Sequence, residues 1–490
     1  MVGCTGSTRR RPDVECSDEG TTDSGAGWRR FRGSHESVLS GLSGLEQNAE
    51  TLGDVVMGDD PSAAELTEAY QDEFGPIPTP SAVSAASALL VGFAFLMIGN
   101  GLGGSVVGIR AELENFNTVA TGLIMAAYFG GFLVGSRLAF RLLGNVGHIR
   151  VFTALASLAS TVALIQAIAV FPLLWAPARF LTGLCMAGLF VVAESWLNDI
   201  ATPETRGRLL ASYMIVSMGG MAIGQFLLTI ADPRDVTLFI VASVLVSLAV
   251  LPIALSTTSA APLAEPEPMS LRELLAIVPT GVTSMFFVGT AAGTLLGMGA
   301  VYATRVGLSS NQTAVFLTAP IVGAVAFQWP MGILADRFPR RGLIALGAVA
   351  AAVAPLVMTQ LSDSSLAGTL VLFVVGGTMF PLYSLTIAYT NDWIPVSKMV
   401  AASSSLVMVN GAGAVVGPLL TAVLFHQFGT GAYYFVLAAA HGLLAVYIGY
   451  RIVAKDALPL ESQRAWVPLS SRSTGAVAVV TRPLRVRQKP

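Results

Sequence analysis

The sequence predicts an all-α integral membrane protein whose twelve transmembrane helices form two pseudo-symmetric six-helix bundles. The first observation is composition. The 490 residues are 53% hydrophobic and only 12% charged, and the mean hydropathy of +0.68 is too high for a soluble protein of this size. The second is a series of apolar segments, each close to the ~20 residues that a helix needs to cross ~30 Å of hydrocarbon. The third is a repeat that relates the two halves of this series.

The N-terminal region, residues 1–80, is polar and precedes the first apolar segment. It is rich in Gly, Ser, Asp, Glu and Arg and has no apolar run long enough for a signal peptide. We expect a disordered cytoplasmic tail, in which only residues 63–74 have helical character and could form an amphipathic helix on the membrane surface. An incorrectly assigned start codon is an alternative explanation for a tail with so little packable pattern.

Twelve apolar segments follow from about residue 84. We expect transmembrane helices over residues 84–109, 117–138, 150–171, 173–198, 208–230, 236–255, 275–303, 311–335, 342–361, 365–390, 399–424 and 431–452. A polar, Pro-rich stretch over residues 256–270 separates the first six from the second six. The predicted domains are an N-terminal bundle over 81–255, a cytoplasmic linker over 256–274, a C-terminal bundle over 275–452 and a cytoplasmic tail over 453–490.

A shift of 193 residues aligns the two halves without a gap. It superposes five residues on identical ones: Gly183 on Gly376, Asn198 and Asp199 on Asn391 and Asp392, Gly220 on Gly413, and Gly224 on Gly417. Identities between glycine-rich apolar chains arise easily by chance, but a consecutive Asn-Asp pair at the same end of two equivalent helices is harder to dismiss. Two halves related by an axis along the membrane normal, with a site between them, are a known transporter architecture.

The distribution of Lys and Arg predicts the orientation. With a cytoplasmic N-terminus, the inner loops hold Arg137, Arg141, Arg150, Arg206, Arg208, Arg272, Arg337, Arg340, Arg341 and Lys398. The C-terminal tail holds further basic residues, whereas the outer loops hold only Arg110, Arg234 and Arg305. Because cytoplasmic loops carry the excess of basic residues, both termini are predicted to be cytoplasmic.

The most specific motif of the chain runs from Gly332 to Arg341, with the sequence GILADRFPRR. Together with the twelve spans and the linker, it resembles the G-x-x-x-D-R-x-G-R-R signature of the major facilitator superfamily, over about residues 85–452. Pro339 stands where the family usually has Gly. In the looser first-half copy, residues 135–150, Ala139 stands at the place of the acid. The sequences VGHIR, AESWLND and ETRGRLL resemble the YcaD-type branch of the superfamily.

This resemblance implies the major facilitator fold and secondary active transport of a small molecule by alternating access. It also implies a multi-pass protein of the cell (inner) membrane, which we expect to work as a monomer. In the superfamily, glycine-rich sequences similar to that of span five are associated with antiporters, which favours export, although Gln225 replaces the proline found there. A midplane carboxylate that would carry protons is not evident, so proton coupling stays open.

Charged residues at the predicted cytoplasmic ends of the spans are candidates for a gate. Asp199 closes span four and Arg206 follows in the next loop, so both can converge with Arg141 of the neighbouring loop. Exposed ion pairs contribute ~0–1 kcal/mol each, so a network of them could hold one state and still release it. The gate candidates are Arg141, Glu194, Asp199, Arg206, Gly332, Asp336, Arg337, Arg340, Arg341, Asp392 and Lys398. The alternative is that these charges only fix topology.

Small residues on spans five and eleven are candidates for helix hinges. Glycine lets helices approach closely, and a Gly-x-x-x-Gly-Pro element also permits a bend. The hinge candidates are Gly220, Gly224, Gly413, Gly417 and Pro418. The alternative is ordinary helix packing, because transmembrane helices use glycine freely.

The candidates for a central substrate cavity are polar groups within apolar spans. Arg179 is the first of these, because Arg179, Gly183 and Phe190 share one face of span four and a charge in hydrocarbon must face protein or water. Its guanidinium could bind an anionic group or pair with helix carbonyls. On the same face, Glu194 is expected to pair with inner-loop arginines rather than to carry a proton. The weaker cavity candidates are Asn100, Gln225, Tyr383 and Asn410.

Other function classes are less consistent with this pattern. A membrane enzyme needs a clustered set of reactive side chains, and the four histidines are scattered along the chain. The three cysteines form neither a disulfide framework nor a metal-binding spacing, so we expect no metal and no cofactor. A transport-dead sensor has only the N-terminal tail in its favour. The expected partners are a small-molecule substrate and the lipid bilayer, with no nucleic acid.

Overall fold

The computed structural model describes residues 86–201, 205–255, 269–454 and 463. Among these residues the regular structure is helical, and twelve helices are long and apolar enough to cross a membrane. The predicted helix at 63–74, most of the predicted linker and the predicted C-terminal tail apart from its first residues and residue 463 lie outside the described residues. The residues from Pro80 onwards group into one compact unit.

The twelve helices follow the predicted order. They are α1 (Ser87–Leu113), α2 (Thr118–Gly144), α3 (His148–Ile168), α4 (Pro172–Ile200), α5 (Arg208–Thr229), α6 (Thr237–Ala254), α7 (Pro279–Arg305), α8 (Ser310–Arg337), α9 (Arg340–Met358), α10 (Leu366–Trp393), α11 (Met399–Phe428) and α12 (Ala432–Ala454). The fold class is therefore confirmed, and the predicted ends differ from the observed ones by a few residues.

Turn chemistry sets several of these ends. After α1 the chain turns at Asn115, whose φ of 55° lies in the left-handed region that Asn tolerates better than most residues. Asn117 then caps α2, because its side-chain oxygen accepts a hydrogen bond from the backbone N–H of Val119 at 2.9 Å. Ser309 and Gln312 form a capping box at the start of α8. These short polar loops explain why the spans follow one another so closely.

Two helices of the second half are irregular. The middle of α7 winds as a π-helix over Thr294–Met298, a form that occurs frequently at functional sites. Helix α10 consists of two segments, Leu366–Met379 and Pro381–Trp393. The break falls at Pro381 because proline has no N–H to donate and its ring crowds the preceding turn.

The two halves pack in the same way. In the first half α2 lies along α4, α1 along α5, and α3 against α6; in the second half α8 lies along α10, α7 along α11, and α9 against α12. The halves meet through α2 with α11 and through α5 with α8. Adding six to each helix number converts one set of contacts into the other. This is the two-bundle pseudo-symmetry that the repeat predicts.

The glycine matches of the repeat lie at helix crossings. A Cβ atom on Gly183 would lie 1.9 Å from the carbonyl oxygen of Tyr128 on α2, and one on Gly376 would lie 1.9 Å from that of Pro320 on α8. The four glycines among the hinge candidates are similar: added Cβ atoms would come within 2.1–2.7 Å of the facing helix at positions 220, 224, 413 and 417. Helix α11 continues through Pro418 without interruption. Close packing therefore explains these glycines, and their role as hinges stays a prediction.

Candidate substrate path and gates

The twelve crossings give the bundle two chemically different ends. We call the end where α1 begins the basic end, because it carries the arginine-rich loops that follow α2, α4 and α8. We call the other the far end. The basic end is the one that the sequence predicts to be cytoplasmic.

Three neighbouring cavities run from the basic end towards the far end. The basic-end groove has a volume of about 820 Å³ and lies between α2, α7 and α11, with Arg137, Phe286 and Met408 among its walls. The middle cavity, of about 40 Å³, lies between the same three helices at half their length. The far cavity, also of about 40 Å³, lies between α1, α5, α7, α8 and Tyr433 of α12. Leu133 lines the first two cavities and Leu296 the last two, so single leucines separate them.

The π-helical segment of α7 places the second of these leucines. Leu295 and Leu296 lie within Thr294–Met298, and both line the far cavity. The irregularity therefore lies where the middle cavity and the far cavity come closest. The wider turn of a π-helix also shifts the direction of the side chains that follow it.

Three of the five predicted cavity residues line these cavities. Asn100 and Gln225 line the far cavity, and Asn410 lines the middle cavity. Gln225 is held between two helices, since its Oε1 accepts from the Ser105 hydroxyl at 2.6 Å and its Nε2 donates to the Gly101 carbonyl at 3.1 Å. The hydroxyl of Tyr128 donates to Asn100 Oδ1 at 3.3 Å.

The amide nitrogen of Asn100 differs from these groups in its hydrogen bonding. Asn100 Nδ2 is buried and has no hydrogen-bond partner among the described residues. A buried amide donor without a partner is destabilising by about 1–3 kcal/mol, so a polar ligand or a water molecule in the far cavity would satisfy it.

Arg179 and Tyr383 line none of these three cavities. Arg179 is 5% exposed, and its guanidinium lies 4.6 Å above the ring centroid of Tyr128, which is a wall of the middle cavity. A cation at this distance from an aromatic face is stabilised by the ring quadrupole. Tyr383 is buried in α10. Arg179 thus lies behind the ring of Tyr128, outside the lining of the middle cavity.

Glu194 is a buried carboxylate near the basic end of α4. It is 1% exposed and accepts a hydrogen bond from the Tyr213 hydroxyl of α5 at 3.0 Å. This bond joins two helices of the first half. Its predicted pairing with the inner-loop arginines stays a prediction.

The predicted gate residues of the second half form a cluster at the basic end. Arg340 Nη1 lies 2.7 Å from both carboxylate oxygens of Asp392, and Arg340 Nη2 lies 3.8 Å from Asp336. Lys398 Nζ lies 2.7 Å from Glu273, which belongs to the short helix Leu271–Ile277 before α7. All of these ion pairs join elements of the second half. Gly332 and Arg341 are buried beside this cluster, and Arg337 is exposed.

The gate residues of the first half are arranged differently. Arg141 and Asp199 are exposed, and the side chain of Arg206 lies outside the described residues. The shift of 193 residues that superposes Asp199 on Asp392 places Gly147 on Arg340. At the position of Arg340 the first half thus has a glycine, which is one of the departures that make its copy of the motif looser.

The sequence analysis missed an ion pair that joins the two halves at the far end. Arg305 Nε at the end of α7 lies 2.8 Å from Glu112 at the end of α1, and its Nη2 donates to the Thr118 hydroxyl of α2 at 2.7 Å. The same guanidinium lies 5.4 Å from the ring centroid of Phe425. These contacts join the first half to the second.

The repeat contains the signal that could have identified this pair. Glu112 and Arg305 are 193 residues apart, so they occupy equivalent positions in the two halves. Equivalent residues lie at equal distances from the pseudo-symmetry axis, and those near the axis meet each other. An acid and a base at such positions form an ion pair across the halves.

Comparisons with known proteins agree with this architecture. The sequence profile of the Major Facilitator Superfamily matches residues 281–487. An uncharacterized MFS-type transporter of Yersinia pestis (strain Pestoides F) is 26% identical over 362 residues, which are 74% of this chain and 93% of the relative. The uncharacterized MFS-type transporter YcaD of Escherichia fergusonii is 24% identical over 353 residues, 72% of this chain and 91% of the relative.

Solved structures share the fold at low sequence identity. The nucleoside transporter NupG has a TM-score of 0.59 and 11% identity, covering 76% of this chain and 99% of its own. A bacterial homolog of the human lysosomal transporter Spinster, in an inward-facing and occupied conformation, has a TM-score of 0.60 and 16% identity, covering 78% and 99%. The chain is therefore similar to major facilitator superfamily transporters, including YcaD, in sequence, and it shares the fold of the solved members.

Proposed function

We propose that the protein is a secondary active transporter that moves a small molecule across the cell membrane by alternating access. The observation that carries this proposal is the difference between the two ends of the bundle. At the far end the ion pair between Glu112 and Arg305 joins the halves, and at the basic end a cavity of about 820 Å³ lies between them. A membrane protein that is closed at one end and hollow at the other needs only a relative movement of its halves to reverse its access.

The far-end ion pair is weak enough to act as a gate. Both side chains are partly exposed, at 17% for Arg305 and 21% for Glu112. An ion pair of this kind contributes about 1 kcal/mol, so its loss should change the ratio of two conformations roughly fivefold. We propose that this pair stabilises the state in which the far end is closed.

Loss of this ion pair is expected to open the far end. In a variant without native cysteines, Gly104→Cys introduces a thiol into the far cavity, where an added Cβ meets no atom within 4 Å. Glu112→Gln should raise the rate at which a membrane-impermeant maleimide labels this thiol from the far-end side by roughly fivefold. The measurement is labelling rate in vesicles of known orientation.

The matched control is Glu114→Gln. Glu114 also lies at the far end, but its partner is Arg110 on the same helix, at 2.7 Å, so its loss should leave the labelling rate unchanged. Exchanging the charges, with Glu112→Arg and Arg305→Glu together, should restore slow labelling. Equal labelling in the wild type, Glu112→Gln and Arg305→Gln would refute alternating access controlled by this pair.

We further propose that the basic end is cytoplasmic, that export is the favoured direction, and that one chain suffices for transport. The orientation follows from the excess of Lys and Arg in the loops of the basic end. Because both Ser364 and Ser397 are exposed, they give a direct test. In intact cells a membrane-impermeant reagent should label Ser364→Cys, in the loop between α9 and α10, but not Ser397→Cys. The reverse pattern would invert the orientation.

A further inference from the structure

The basic-end groove has one cationic group in otherwise uncharged walls. Arg137 is the only charged residue among the groove's lining residues in the described part of the chain, and the others are mainly Leu, Met, Val, Phe and Ala with a few hydroxyl groups. Arg137 is exposed and forms no ion pair with a described residue. The groove therefore combines an anion-binding group with an apolar surface.

One side of this groove between the halves borders the surface of the bundle that faces the membrane. Val134 and Leu138, which flank Arg137 on α2, are 47% and 38% exposed, and Val416 and Leu420 on α11 are 38% and 42% exposed. Exposed aliphatic residues on a transmembrane helix face lipid. Ala412, which is also exposed, lies one turn before Val416 and lines the groove, so the lipid-facing surface of α11 continues into it.

The groove is separated from the interior by a single side chain. Leu133, one turn before Arg137, lines both the groove and the middle cavity. It packs on Gly411 of α11, where an added Cβ would lie 2.6 Å from Leu133 Cδ1. Because the contact is with a leucine side chain rather than with backbone, a rotamer change of Leu133 could open a passage between the groove and the middle cavity. On the other side lies Tyr128, whose ring carries the guanidinium of Arg179. An anion moving inwards would thus approach a second cation, which lies behind the Tyr128 ring.

We propose that this groove is a lateral access site for a membrane-dissolved, single-chain amphipathic anion, and that such molecules are the substrate class of the transporter. The carboxylate or phosphate group binds Arg137 at headgroup depth, and the tail lies along the apolar walls between α2 and α11. The volume of about 820 Å³ lies within the ~300–1,000 Å³ typical of small-molecule sites. This inference rests on the proposed transport function.

The test is binding of a fluorescent fatty acid, 11-(dansylamino)undecanoic acid, to the full chain in phosphatidylcholine nanodiscs. The wild type should bind it saturably, and its neutral primary amide should bind more weakly. Arg137→Gln should raise the Kd at least tenfold, because hydrogen bonds to a charged partner are lost, and Arg137→Lys should have a smaller effect. Ala412→Phe, which fills the groove and keeps Arg137, should also raise the Kd.

Arg150→Gln is the matched control, since Arg150 is exposed at the same end but does not line the groove. Equal Kd values for Arg137→Gln and Arg150→Gln would overturn the headgroup site, as would an amide that binds as tightly as the acid. An unchanged Kd in Ala412→Phe would overturn the tail site. Full competition by added phosphatidylglycerol would assign the groove to a membrane phospholipid instead of a substrate.

The same preparations separate this inference from the proposed function. If Glu112→Gln accelerates labelling of Gly104→Cys but the fatty acid does not bind, alternating access stands and the substrate class is wrong. If the acid binds as expected but labelling never responds to loss of the ion pair, the proposed gate is wrong and the groove is a binding site only, which overturns its assignment to substrate.

Discussion

Replacing Gly183 by valine is expected to prevent the first half of the protein from assembling. An added Cβ at this position would lie 1.9 Å from the carbonyl oxygen of Tyr128, 2.7 Å from its carbonyl carbon and 3.0 Å from the amide nitrogen of Phe132. All three are backbone atoms of α2, so no rotamer change can relieve the overlap. Overpacking costs about 1–3 kcal/mol when side chains can adjust, and here α2 and α4 must separate, so the loss should exceed that range.

The measurement is the amount of monodisperse protein extracted from membranes and its thermal midpoint. Gly219→Val is the control, because an added Cβ at Gly219 meets no atom within 4 Å and the change in helix propensity is the same. Gly376→Val should reproduce the defect in the second half, since its Cβ would lie 1.9 Å from the Pro320 oxygen. Comparable stability of the Gly183 and Gly219 variants would show that close packing of α2 and α4 is not required.

Replacing Asp392 by asparagine is expected to have the second largest effect on stability. Arg340 and Asp392 are 1% and 2% exposed, and the nitrogen and oxygen atoms are 2.7 Å apart. Removing one partner of a buried ion pair leaves the other charge desolvated, which costs about 3–5 kcal/mol. The thermal midpoint of the purified protein should therefore fall strongly, because α9 and α10 lose the buried ion pair, although Arg340 still donates a hydrogen bond to the Ala388 carbonyl.

Two further variants distinguish a buried pair from a surface interaction. Asp336→Asn should change the midpoint little, since Asp336 is 52% exposed and 3.8 Å from Arg340, and exposed pairs contribute at most about 1 kcal/mol. Arg340→Met combined with Asp392→Leu should recover much of the loss, because no unpaired charge remains buried. A double variant less stable than Asp392→Asn alone would contradict this account.

The prediction that Asp199 and Asp392 act as equivalent latches is now open to a direct comparison. Asp392 is held by a guanidinium within its own half, whereas Asp199 is exposed. If both acids control the basic end, removing either should raise the accessibility of the cavity from that side. A change in accessibility without a change in midpoint would separate gating from stability for each residue.

Glu112 and Arg305 show that the sequence can contain the spacing of an ion pair without revealing that the two residues meet. Their spacing of 193 residues is visible in the repeat. Without the positions of the helices, however, nothing distinguishes these two charges from other charged residues near the loops. Whether equivalent residues meet depends on their distance from the pseudo-symmetry axis. That distance is set by the tilt of α1 and α7, and hydropathy carries no information about tilt.

Arg179 likewise has one property that the sequence predicted and one that only the structure shows. Its position on the inward face of α4 followed from the helical period, because a guanidinium must avoid hydrocarbon. Its contact with the ring of Tyr128, 4.6 Å away, could not be predicted, because it depends on which helix lies opposite and at what rotation. The groove at Arg137 likewise could not be predicted, because it is a space between three helices and depends on how they pack against one another.

The sequence by itself determined the twelve spans, the internal repeat and the resemblance to a family, because span length, hydropathy and short motifs are local properties of the chain. It also marked the glycines at 183, 220, 376 and 413, which allow helices to approach closely. Only the tertiary structure decided which charges pair across the halves, which pair within one half, and where the cavities lie. Those outcomes depend on the rotation and tilt of neighbouring helices, which are set by packing between segments far apart in the chain.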